Sequence, residues 1–138
     1  MRNKKLLLSF IMLLCFVSFS ACNSYEDYWV LEKSRYNEAP EMIDYFPKRA
    51  QENPSLVGYS TYTISEGRKM IVLAVGSKHK GSEIEVTKFQ EKGDTTYVTV
   101  NIKKGKSNEE NPVILIGVSK LHKNIVIQDT DGKKYKSL

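Results

Sequence analysis

Few residues in this 138-residue chain are of types that do covalent, acid–base or metal chemistry. They are two cysteines, Cys15 and Cys22, two histidines, His79 and His122, and one acidic cluster, Asp129-Thr130-Asp131-Gly132. Each histidine sits among lysines (Lys78-His79-Lys80, Leu121-His122-Lys123), whose charge disfavours protonation, and this predicts exposure. Neither has metal-binding spacing of the H-E-x-x-H kind, and no G-x-S-x-G, P-loop or dinucleotide fingerprint occurs. The acidic cluster opens like a calcium loop, but such a loop needs a further oxygen ligand before the glycine and a glutamate near its end. Lys133, Lys134 and Lys136 follow instead and would repel a cation, whereas a hairpin turn accounts for the same residues. The expectation is no catalytic residue, no metal and no cofactor.

Cys22 stands apart because of what surrounds it. Arg2, Lys4 and Lys5 precede an apolar run from Leu6 to Phe19, broken only by Ser9 and Ser18. Small Ser20 and Ala21 lead into Cys22, and polar Asn23, Ser24, Glu26 and Asp27 follow at once. A basic start, a short apolar run and a small-residue cleavage site make a secretory signal. The run is short for a spanning helix, which needs about 20 apolar residues. Phe19-Ser20-Ala21-Cys22 also resembles the bacterial lipobox, in which leucine is usual at the position of Phe19. That resemblance implies a diacylglyceryl thioether at Cys22, with palmitate-type chains, and cleavage before it. Two acyl chains anchor stably where one binds only marginally. The alternatives are an ordinary signal peptide or an uncleaved anchor with Cys22 incidental.

The expected organisation is a signal peptide over residues 1–21, a short membrane tether over 22–30 and a single β-rich extracytoplasmic domain over 31–138. Cys15 would leave with the signal and Cys22 would be consumed by lipid, so the domain folds without a disulfide. Its expected location is the outer face of the cell membrane. The formal charge of +5 falls to +2 once the signal is gone, 18 basic against 16 acidic residues. Residues 67–138 carry fourteen Lys/Arg against eight Asp/Glu, with lysine clusters at Lys78/Lys80, Lys103/Lys104/Lys106, Lys120/Lys123 and Lys133/Lys134/Lys136. Such loops either meet an anionic surface or are solvated turns that keep strand edges apart. No arginine-rich or aromatic-interleaved pattern points to nucleic acid.

The elements that must position these groups follow from periodicity. From Tyr25 to Pro54 the pattern is helical or irregular. Pro40 suits the first turn of a helix through Glu41–Tyr45, and Pro47 is expected to end or kink it. Beyond Ser55 the period becomes two. Met70–Val75 and Val113–Val118 are continuous apolar runs, as in strands covered on both faces. Ser82–Phe89 and Thr95–Lys104 alternate around a Lys92-Gly93-Asp94 turn and predict a hairpin, with a bulge or strand end where Phe89 breaks the alternation. Asn124–Asp129 and a turn at Asp131-Gly132 complete six or seven short strands. The expected fold is mainly β, an antiparallel sandwich or small barrel behind a short helical or irregular N-terminal segment.

Eight of the eleven aromatic residues that follow Cys22 lie before residue 63. Tyrosine and tryptophan bring large contact area at little entropic cost, which makes Tyr25, Tyr28, Trp29 and Tyr36 candidates for a recognition surface. Alternatively the segment folds over the sheet and its rings complete the core.

The apolar strand ending at Gly76, the polar segment to Gly81, the strand Ile84-Glu85-Val86 and the strand with Val98 and Val100 together resemble the C-terminal domain of PrcB, a protein associated with bacterial protease complexes. The likeness spans about residues 69–130 and implies a small β-domain that binds or stabilises an extracytoplasmic protein. The whole chain resembles the short lipoproteins of Gram-positive bacteria. The function expected is a non-catalytic protein-binding module with another envelope protein as partner. An apolar-ligand-binding barrel is the alternative, and an enzyme is the third reading.

Overall fold

The structure is a computed structural model that describes residues 27–138. Cys22, the lipobox residues Phe19, Ser20 and Ala21, and Tyr25 lie outside the described residues. The fold is mainly β: two four-stranded sheets packed face to face, with one helix on the outer face of the first. The strands are β1 (Tyr28–Val30), β2 (Gly58–Thr63), β3 (Lys69–Ala74), β4 (Ser82–Lys92), β5 (Thr95–Lys104), β6 (Val113–Val118), β7 (Asn124–Asp129) and β8 (Lys134–Tyr135). The first sheet has the order β1-β6-β3-β2 and the second β4-β5-β7-β8.

The two continuous apolar runs, β3 and β6, are central strands of the first sheet, and alternate residues serve different layers. Ile71, Leu73, Ile114, Ile116 and Val118 meet Val98, Val100 and Ile127 of the second sheet. Met70, Val72, Ala74, Val113 and Leu115 face the other way, onto Ile43, Phe46 and Ala50 of helix α1 (Glu41–Glu52). Each fully buried side chain of this size contributes roughly 1.5–3 kcal/mol relative to exposure.

Helix α1 does not stop at Pro47 but runs on to Glu52. Asp44 and Lys48 pair across the proline position at 2.8 Å, and Ala50 is fully buried beyond it. Gln51 exchanges two hydrogen bonds with the backbone of Asn111. These contacts hold the last turn despite the hydrogen bond that proline removes. Asn111 itself is fully buried, accepting from the Gly76 N–H at 2.7 Å and donating to the Leu56 carbonyl at 2.7 Å. It ties helix, β3 end and β6 start together.

Three features differ from expectation. Residues 28–30, assigned to the tether, form β1, because Tyr28, Trp29 and Val30 pair with Val118, Gly117 and Ile116. The pair β5–β7 is parallel, since the chain crosses between sheets after β6 and enters β7 from the end where β5 begins. The C-terminal residues cross back and lie along β2. The bulge expected near Phe89 is present: it falls between Val86 and Lys88 and turns Phe89 back toward the core.

Candidate functional site

The two long sides of the sandwich are built differently. Along β2, the Tyr59 N–H donates to the Lys136 carbonyl at 3.0 Å and the Leu138 N–H to the Tyr59 carbonyl at 2.9 Å. The second sheet is thereby stitched to the first. On the opposite side, among the described residues, β1 pairs only with β6 and β4 only with β5, so two strand edges face each other without backbone bonds. Tyr28 and Phe89 close one end of this seam, their rings stacked at 5.1 Å. At the other end a cleft of about 270 Å³ opens between Val30–Lys33 and Ser82–Ile84, with Val113 and Ile114 behind. Val30 is 43% exposed there although its partner Ile116 is fully buried.

Charged groups frame this cleft. Glu109 binds Lys33 at 2.5 Å and accepts the Val113 N–H at 3.2 Å. The Tyr36 hydroxyl donates to the Val113 carbonyl at 3.4 Å. Burial, with the Glu109 charge beside it, pushes that phenol well above its ordinary pKa, so it remains a donor.

A second groove, about 390 Å³, lies on the helix-bearing face of the first sheet. Its floor is the Trp29 indole, which rests where any Cβ on Gly117 would collide. Leu31, Pro40, Ile64 and Met70 supply apolar walls. The Arg68 guanidinium stands over the indole at 5.6 Å and is held by Ser65, whose hydroxyl accepts at 3.0 Å. Glu66, in the same loop, has φ 60°, a left-handed conformation uncommon outside glycine. On the far rim Arg35 is paired with Glu38 at 2.7 Å. Arg68 has no carboxylate within ion-pair distance among the described residues. The arrangement suits an anion with an apolar body.

No family model and no solved structure matches the chain. It is 38% identical over 109 residues to the uncharacterised protein YycS of Bacillus subtilis (strain 168), covering 78% of this chain and 80% of that one. The chain belongs to the YycS family.

Of the aromatic residues singled out from the sequence, this YycS-family chain places Tyr28 in the seam, Tyr36 at the cleft and Trp29 on the floor of the second groove. They are half-buried and packed, and they flank the two openings without forming one exposed surface. Arg68, Ile84 and Glu83 were not anticipated. A glycine inside the apolar run Val113–Val118 was the available signal for the indole above it.

The histidines also depart from the exposure expected of them. His79 is partly buried, and burial, then Lys133 and Lys78, pull its pKa below the ordinary value. His122 lies 3.6 Å from Glu91 with only 17% of its side chain exposed. Asp129 caps its turn: one carboxylate oxygen accepts the N–H groups of Asp131 at 3.0 Å and Lys133 at 2.9 Å. Among the described residues no three His, Cys, Asp or Glu side chains converge as a metal would need.

Proposed function

We propose that this chain is a lipid-anchored extracytoplasmic module that binds another envelope protein without catalysis. The observation that carries this reading is the open side of the sandwich, where two unbonded strand edges frame an apolar cleft. Unpaired edges invite pairing with another chain, and proteins normally blunt or cover them. The anchor rests on the residues around Cys22, six positions before β1 begins at Tyr28. Confinement to a thin membrane layer raises the effective concentration for membrane-side partners.

The test places a photo-reactive side chain at Glu83 on the open side, or at Lys134 near the closed side, of the full-length protein in native cells. One envelope protein captured from Glu83 and not from Lys134 supports the reading; equal capture from both reduces it to proximity. Cys22→Ser tests the anchor separately, because unchanged acylation in that variant would remove the lipobox assignment.

A second reading has its own observation. The space between the sheets is filled by side chains such as Ile71, Leu73, Val98 and Ile127, so a small ligand would sit outside it. The groove of Trp29 and Arg68 then serves an amphiphilic anion. Trp29 is the only tryptophan in the chain and so reports directly on this groove. Titration with decanoate should change its fluorescence, and Arg68→Ala should weaken that response. An unchanged spectrum at saturating decanoate sinks the reading.

A further inference from the structure

We propose that the partner is held by strand addition: an extended, basic segment of the partner lies along Ser82–Val86 of β4 and seats one aliphatic side chain in the cleft of Val30, Ile84 and Ile114. The inference rests on the binding-module reading and specifies its chemistry.

Three observations set the occupant. First, β4 is an 11-residue strand that, among the described residues, is bonded on one side only, so its outer N–H and C=O groups form a template for another strand. The other long side is already taken by residues 136–138. Second, the usable length is bounded. The bulge between Val86 and Lys88 breaks the ladder, and the Tyr28–Phe89 stack closes the seam beyond it. What remains is Ser82–Val86, about 17 Å at roughly 3.3 Å per residue. The cleft beside it, about 270 Å³, is below the roughly 300–1,000 Å³ of small-molecule sites and suits a side chain better than a whole ligand.

Third, the rim is acidic. Lys33 is neutralised by Glu109 and Glu85 by Lys103 at 2.8 Å, which leaves Glu32 and Glu83 without ion-pair partners among the described residues. Charge complementarity therefore selects lysine or arginine on either side of the buried aliphatic residue.

The test uses the full-length chain in detergent and two capped pentapeptides, Lys-Val-Lys-Val-Lys and Glu-Val-Glu-Val-Glu. Amide hydrogen exchange is followed at Ser82–Val86, with Gly58–Thr63 as the closed-side reference. The basic peptide should slow exchange at least tenfold at Ser82–Val86 and leave the reference unchanged. Glu32→Lys with Glu83→Lys should reverse the preference toward the acidic peptide. Equal protection by both peptides would overturn the charge argument, and protection by neither would overturn strand addition. Concentration-dependent protection without peptide would give the edge to a second copy of the chain. Selective capture from Glu83 in cells with peptide protection absent would leave the binding module standing and remove only this mode of binding.

Discussion

The closed and open sides of the sandwich solve one problem in two ways. On the closed side the chain covers its own edge: residues 136–138 lie along β2, and Gly58 lacks the Cβ that would strike the Lys136 carbonyl at 2.6 Å. Tyr135, just before this crossing, is only 5% exposed. On the open side the edge is left free and merely blunted, by the bulge after Val86 and by Glu83, Glu85 and Lys88. Covering an edge adds backbone bonds and buried area, whereas blunting one limits self-association yet leaves the ladder available. Stability should therefore be concentrated on the first side and binding on the second.

The largest test of that contrast is Gly58→Val. At φ 144° a side chain is strained, by roughly 1–3 kcal/mol, and overpacking against Lys136 and Leu138 adds roughly 1–3 kcal/mol more. Urea unfolding should show a loss of about 2–6 kcal/mol; a loss below 1 kcal/mol would mean the C-terminal crossing is not fixed in solution. Removing residues 136–138 should come next. Two backbone hydrogen bonds disappear, roughly 0.5–1.5 kcal/mol each, and β2 becomes a second open edge. The truncated chain should sediment as a concentration-dependent oligomer. A chain that stays as monodisperse as the full-length one would show that β2 needs no cover.

A pH titration probes the same side. Burial, then the nearby Asp129 carboxylate and its hydrogen bond, raise the Tyr135 phenol to about 12. The folded value lies above the unfolded one of about 10, so its contribution is complete below pH 10 and lost as pH rises through 12. Tyr135→Phe should flatten the decline in stability between pH 10 and 12; an identical slope in both proteins would deny the phenol this role.

Much of this architecture is legible in the residues. The runs Met70–Val75 and Val113–Val118 announce strands with two covered faces, and Asp131-Gly132 announces a turn. Alternation, however, records which face is buried and not which strand lies beside it. Nothing local tells β1 to pair with β6, some 88 positions along the chain, or β5 to run parallel to β7. Pro47 misleads because tertiary contacts at Ala50 and Gln51 hold the helix beyond it. The site was partly visible for the same reason. Composition marks Tyr28, Trp29 and Tyr36, but Phe89, Gly117 and Arg68 meet them only through the fold.

The smallest effect belongs to the open side and is the sharpest discriminator between the two. Val30 occupies a core-facing register position opposite Ile116, yet 43% of it is exposed because β4 does not close over it. Val30→Thr replaces a methyl group by a hydroxyl of similar size, and an already wet cleft hydrates that hydroxyl. The expected cost is under ~0.5 kcal/mol, the level of ordinary surface changes. The same exchange at Val98, fully buried between the sheets, strands the hydroxyl and should cost about 1–3 kcal/mol. Matched thermal melts of the two variants give the comparison directly. Equal losses would mean that the seam is shut in solution, and a shut seam would leave β4 nothing to offer a partner beside Val30.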